Sequence, residues 1–155
     1  MHAKKIFTLA ILLVCWAPCC YASPSTCNVG QPTACTGSSD LYYIEAVLTA
    51  NSSTGAFTDA TNAITGIGGL LLGVQTVPGA TAPTDDYDIT ITNAQGLDVM
   101  GGALANRDAV STEFSLPAVN GTYGYVPITG PLSINISGNS AGSAFVTLRI
   151  FYFSR

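Results

Sequence analysis

The sequence predicts an all-β domain, an antiparallel β-sandwich or jelly roll, with a closed β-barrel as the alternative. Three observations predict it. Apolar and polar residues alternate at period two over most of the chain after Asp40. Gly, Asn and Pro clusters interrupt that alternation about every ten residues, and no stretch carries a long helical period. Strands that are apolar on one side are most simply buried by packing two sheets face to face.

The elements follow in order. Leu41 to Thr49 is the first strand, with Tyr42, Ile44, Ala46 and Leu48 on one face. Asn51-Ser52-Ser53-Thr54-Gly55 is a turn, and residues 56–66 fit neither period. Gly69 to Val77 is the second clear strand, with Leu70, Leu72 and Val74 expected to share a face. Pro78 and Gly79 end it, and Ala80 to Asp85 is a loop. Tyr87 to Asn93 alternates cleanly, with Tyr87, Ile89 and Ile91 opposed to Asp88, Thr90 and Thr92. Ala94-Gln95-Gly96 turns it towards Leu97 to Met100 as a hairpin partner. Gly101 to Asp108 has no strand period and reads as a loop or one helical turn. Thr112 to Leu116 is a short strand, and residues 117–131 form a loop. Leu132, Ile134 and Ile136 alternate with Ser133, Asn135 and Ser137, and Gly138 to Gly142 is a second hairpin turn. Phe145 to Phe153 is the last strand, with Val146, Leu148, Ile150 and Tyr152 on one face. Phe151 and Phe153 make its other face aromatic too, so it is expected to be a fully buried central strand or to present an assembly surface.

The N-terminus reads differently. Lys4 and Lys5 precede an apolar run from Ile6 to Trp16, Pro18 breaks it, and Ala22 offers a small residue for cleavage. This is the pattern of a signal peptide over residues 1–22, too short for a bilayer span. The expected destination is secreted, periplasmic or cell-surface, with no membrane span after cleavage. Residues 23–39 form a polar leader in which Cys27 and Cys35 are expected to pair as a disulfide. Closing so short a loop stabilises by about 2.5 kcal/mol. Residues 40–155 are the β-domain.

Cleavage after Ala22 removes both lysines, the only histidine and the only tryptophan. Three arginines against nine carboxylates then give 3 − 9 = −6, compared with −4 for the whole chain. No Lys nucleophile, imidazole base or His metal ligand remains, so an enzyme is not expected. A strongly negative chain with three arginines also disfavours nucleic acid. No cofactor is expected; the weaker alternative is calcium on Asp85, Asp86, Asp88, Asp98 and Asp108, which lack the ligand spacing of an EF-hand. Glu45 and Glu113 as a glycosidase pair rank lower still, since both sit in strands without a cleft signature. Tyr123 and Tyr125 flank Gly124 in a loop. They are expected to tuck beneath it and cover the core; the other reading makes them, with Phe151 and Phe153, an interface or a sugar-stacking surface. Asn51, Asn120 and Asn135 stand in N-x-S/T sequences.

One stretch resembles a known group. Tyr87-Asp88-Ile89-Thr90-Ile91-Thr92, then Gly96-Leu97-Asp98-Val99-Met100-Gly101-Gly102-Ala103-Leu104-Ala105-Asn106-Arg107, resembles a core shared by small β-rich proteins of tailed phages and prophages. Gly130 to Ser140 resembles their second shared segment, and the likeness spans roughly residues 69–153. It implies a virion structural or decoration-type protein without a catalytic site, whose partners are itself or a larger protein assembly. The export signal and the Cys27/Cys35 pair depart from that pattern. The competing function is a secreted carbohydrate- or protein-binding β-sandwich module. Within the motif, Gly101-Gly102 lets the chain fold back, so Arg107 is expected to brace the loop by pairing with Asp98 or Asp88, while Asn106 caps a turn.

Overall fold

The computed structural model describes Cys35–Thr36, residues 41–57 and residues 64–154. The expected signal peptide, residues 1–22, lies outside the described residues, and so does the expected pairing of Cys27 with Cys35, because Cys27 and the side chain of Cys35 are outside them.

Among the described residues ten strands form, and every pairing is antiparallel. The large sheet contains β1 (Cys35–Thr36), β2 (Leu41–Thr49), β3 (Gly68–Pro78), β5 (Glu113–Ser115), β8 (Val126–Thr129) and β10 (Phe145–Ser154). Its order is β1-β2-β10-β3-β5, with β8 also pairing β3, along Gly68–Leu71 where β5 pairs Val74–Thr76. The small sheet pairs β4 (Asp88–Asn93) with β9 (Leu132–Ser137), and β6 (Ala118–Val119) pairs β7 (Thr122–Tyr123) in a separate hairpin. The sheets do not close into a barrel; the fold is an all-β sandwich.

The alternation read from the sequence places the core. Ile44, Ala46 and Leu48 of β2 and Val146, Leu148, Ile150 and Tyr152 of β10 are buried on one side of the large sheet. Ile89 and Ile91 of β4 and Leu132, Ile134 and Ile136 of β9 bury the facing side of the small sheet in the same cluster. Tyr87, Val99, Met100 and Leu104 belong to the same cluster, as do Leu71 and Val74 of β3 and Ile128 of β8. The last strand is indeed central: β10 lies between β2 and β3 along its length.

Three sequence expectations need correction. In β3 the core residues are Leu71 and Val74, whereas Leu70 and Leu72 are only half-buried. The register shifts opposite Phe151 and Tyr152, so β3 carries one extra residue there and its alternation changes phase. Gly73 sits in this bulge because a Cβ there would stand 2.6 Å from the Phe114 ring and 2.8 Å from the Ser115 carbonyl oxygen. Secondly, Gly138 to Gly142 is not a hairpin turn. It carries the chain from β9 in the small sheet to β10 in the large one. Thirdly, residues 117–131 contain β6, β7 and β8 rather than a plain loop.

The crossover from β9 to β10 is held by Asn139. Its Oδ1 accepts from the Thr84 (2.7 Å) and Ala141 (3.2 Å) amides, and its Nδ2 donates to the Gly55 (2.6 Å) and Ala141 (3.0 Å) carbonyls. One side chain thus joins three loops at one end of the sandwich. The loops meet closely: a Cβ on Gly142 would stand 2.2 Å from the Ser52 carbonyl oxygen.

Candidate functional site

The motif from Tyr87 to Arg107 folds as a strand followed by a chain that returns along it. Asn93 opens the turn, its Oδ1 accepting from the Gln95 and Leu97 amides at 3.0 Å. The returning chain then bonds to β4: Val99 N to Ile91 O (2.8 Å), Ile89 N to Leu104 O (2.9 Å), and Arg107 N to Tyr87 O (2.7 Å). Residues 97–107 therefore cover the edge of β4 that β9 leaves open, which is how edge strands are kept from pairing elsewhere. Only Asp98 forms a ladder bridge of the expected hairpin, with Thr92. After it the chain runs in successive turns.

Asp98 holds a turn, and Asp88 ties the returning chain to β4. Asp98 Oδ1 accepts from Met100 N at 3.0 Å and its Oδ2 from Gly102 N at 2.7 Å. Asp88 Oδ1 accepts from Asn106 N at 2.9 Å. Because the aspartates are satisfied by turn amides, neither pairs with Arg107, contrary to the sequence expectation. Arg107 instead faces Glu113, Nη1 to Oε2 at 3.5 Å, and donates to Ser115 Oγ at 2.9 Å. Its Nε and Nη2 both donate to the Ala105 carbonyl. It thereby ties the end of the motif to β5 at the edge of the large sheet. Asn106 takes a left-handed backbone (φ 51°), and its bond to Asp88 comes from its main chain, not from a side-chain cap.

Asp85, Asp108, Glu45 and Glu113 are similarly engaged. Asp85 Oδ1 accepts from Ala109 N at 3.1 Å. Asp108 Oδ1 accepts from Val110 N and Ser111 N, and these amides hold its carboxyl below the usual range. Among the described residues, no three His, Cys, Asp or Glu side chains converge as metal ligands. Asp85, Asp88, Asp98 and Asp108 spend oxygens on backbone amides rather than pointing them at a common centre. Glu45 and Glu113 do not face one another as a catalytic pair. Glu45 bonds Arg149 Nε at 2.7 Å, and Glu113 faces Arg107.

The two sheets differ on their outer faces. The small sheet presents Asp88, Thr90 and Thr92 beside Ser137, Asn135 and Ser133, the polar exterior usual for an antiparallel sheet. The large sheet presents mainly apolar cross-strand rows. Val47, Thr147 and Val77 form one; Tyr43, Phe151 and Gly73 another; Leu41, Phe153 and Leu70 a third. Tyr43 and Phe114 rings lie 5.6 and 5.8 Å from Phe151, and Tyr125 lies edge-on to Phe153 at 6.0 Å. The one charged row is Glu45, Arg149 and Gln75, in which Arg149 also donates to Gln75 Oε1 at 3.1 Å.

Tyr123 and Tyr125 do not tuck under their loop: they are 70% and 59% exposed, and Phe114 is 52% exposed. Tyr123 falls in the β6–β7 hairpin, whose tight turn through Asn120 and Gly121 leaves its side chain outside the core. Phe114, Tyr123, Arg107, Ser115, Leu116 and Ala103 line a shallow cleft of about 340 Å³. Sequence reasoning missed Phe114 and Tyr43 as members of the surface. The adjacent Tyr42 and Tyr43 did carry a signal, since neighbouring aromatics in a strand point to opposite faces.

No protein-family model, curated protein or solved structure matches the chain.

Proposed function

We propose that the chain is a non-enzymatic structural protein, exported from the cell, that assembles with itself or into a larger protein shell. Its role would be of the kind held by the phage surface and decoration proteins that its motif resembles. One observation carries the reading: the outer face of the large sheet is apolar and aromatic where the same molecule's small sheet is polar. Large apolar patches on soluble proteins mark surfaces that meet another protein. The condition of the charged groups supports it. The described carboxylates on β2, β5 and the motif serve turns or ion pairs.

The test is sedimentation velocity over a concentration series, with negative-stain microscopy, on the chain with and without residues 1–22. Concentration-dependent association or a regular particle is expected. A strict monomer at every soluble concentration refutes the reading. Tyr123 favours one competitor, since an exposed tyrosine beside the Phe114–Arg107 cleft is suited to stacking on a sugar ring. A monomer that binds a glycan array through Tyr123 establishes that module instead.

A further inference from the structure

We propose that Asn120 is a site of spontaneous covalent modification, where its side-chain amide is lost through a cyclic imide formed with the Gly121 main chain. The inference is independent of the assembly reading.

Local geometry selects this asparagine. Asn120 and Gly121 form the tip of the β6–β7 hairpin, between the paired Val119 and Thr122. Both have positive φ, 50° and 76°, as a two-residue type I′ turn requires. Both are exposed, and a Cβ on Gly121 would meet nothing within 4 Å. Neither the Asn120 side chain nor the Gly121 amide bonds to another described residue. The other described asparagines lack one of these conditions. Asn51 and Asn93 hold turn amides with Oδ1. The amide after Asn106 donates to Tyr87 O at 2.7 Å, and the amide after Asn139 to Thr84 Oγ1 at 2.9 Å. Asn135 lies within β9 and precedes the buried, β-branched Ile136.

The chemistry needs only water. Hydroxide takes the Gly121 amide proton, and that nitrogen attacks Asn120 Cγ. The Cγ–Nδ2 bond breaks, ammonia leaves, and the imide ring closes. Water then opens either imide carbonyl, giving aspartate or an isoaspartyl link in which the main chain runs through Cγ. Glycine favours the attack because no side chain crowds its nitrogen. Reaching Cγ requires rotating the Asn120 main chain out of the turn, which the Val119–Thr122 rung opposes at the tip. The base of the hairpin is held separately: Ala118 N donates to Met100 O at 3.0 Å, and Gly124 N to Pro117 O at 3.1 Å. The tip can therefore open while the domain stays folded.

The product alters the surface. The new carboxylate is ionised at neutral pH and makes the net charge one unit more negative than −4. It lies at the rim of an apolar cleft of about 340 Å³ that Leu97, Val99, Val119 and Val126 help to line. An isoaspartyl link also lengthens the turn, so the Val119–Thr122 pair loses its register.

Asn120-Gly121-Thr122 is also an N-x-T sequence, so the test uses the chain made in a host without N-glycosylation. The folded chain is incubated at mildly alkaline pH and followed by ion exchange, intact mass and peptide mapping, with and without hydroxylamine, which cleaves the cyclic imide. A more acidic species is expected to accumulate at a rate proportional to hydroxide concentration and to map to Asn120 as a mixture of aspartate and isoaspartate. Hydroxylamine is expected to split the chain between Asn120 and Gly121. Asn120→Gly keeps a Gly-Gly pair suited to the turn and is expected to abolish both signals. The folded chain should react no more than about tenfold slower than the same chain in guanidinium chloride, because opening the tip breaks one rung. A folded chain that stays intact while the unfolded chain converts overturns the inference. So does an acidic species that maps to another asparagine and persists in Asn120→Gly.

Discussion

Arg107→Ala tests whether the motif acts by fastening its own returning chain to the large sheet. The side chain is 11% exposed and Glu113 is 30% exposed. The substitution removes the bond to Ser115 Oγ (2.9 Å), the Glu113 contact (3.5 Å) and both bonds to the Ala105 carbonyl (3.1 and 3.3 Å). Hydrogen bonds from charged groups contribute about 1.5–3 kcal/mol each at most, and their sum is not additive when they share one side chain. Breaking a fully buried pair costs about 3–5 kcal/mol. Here the stranded Glu113 keeps the Asp108 amide at 2.9 Å and reaches water, so the loss should be smaller, about 2–3 kcal/mol. For a domain of this size that lowers the melting temperature by about 10 °C. The assay is thermal unfolding followed by circular dichroism, with Arg107→Lys alongside. Lysine keeps the charge but not the planar fork that serves three acceptors, and should recover less than half of the loss. A melting temperature within about 2 °C of wild type would refute the bracing role.

Three further outcomes are expected. The Tyr87 hydroxyl is buried without a hydrogen-bond partner, and burial, reinforced by the Glu113 charge, pushes its pKa up to about 12. A folded pKa above the unfolded value of 10.0 means its contribution is intact below pH 10 and is lost as pH rises towards 12. Comparing urea midpoints of wild type and Tyr87→Phe across that window should show the variant losing less stability, and equal slopes would contradict it. Thr76 Oγ1 is also buried and unpartnered, so Thr76→Val should be neutral or stabilise by about 1 kcal/mol in chemical denaturation, whereas a loss of that size would mean the hydroxyl is bonded. Asn139→Ala should cost about 2–3 kcal/mol, since two of its four bonds join distant loops. Hydrogen exchange should quicken at Thr84, whose amide it holds, and unchanged protection there would exclude the crossover clasp.

The strands were legible in the sequence where side-chain alternation and burial coincide. Ile44, Ala46 and Leu48, the Ile89–Ile91 pair, Leu132 to Ile136 and Val146 to Tyr152 were read correctly because each strand has one apolar side, and the pleat sends that side to the core. Three short strands in residues 117–131 were not legible, since two to four residues cannot display a period. The Leu70–Leu72–Val74 face failed for a different reason. A bulge is a property of two strands in register, and nothing within β3 alone marks the position at which Phe151 on another strand demands an extra residue.

The motif shows the same division. Its first turn was readable from Ala94-Gln95-Gly96 and its fold-back from Gly101-Gly102, because turn chemistry acts over two to four residues, whereas the parts of Asn93 and Asp98 in holding those turns were not. Arg107's partner was not. Sequence distance favoured Asp98 or Asp88, but turn amides engage both carboxylates, and the arginine reaches Glu113 and Ser115 on the adjoining strand. The sequence by itself thus determined the all-β class, most strand faces and the scarcity of charge, since these depend on local periodicity and composition. Tertiary structure alone decided which strands are neighbours, where the bulge falls and that the aromatics of β2, β5 and β10, with Tyr125 just before β8, adjoin on one outer face. Such neighbours lie up to about a hundred residues apart along the chain, and only sheet register brings them within contact.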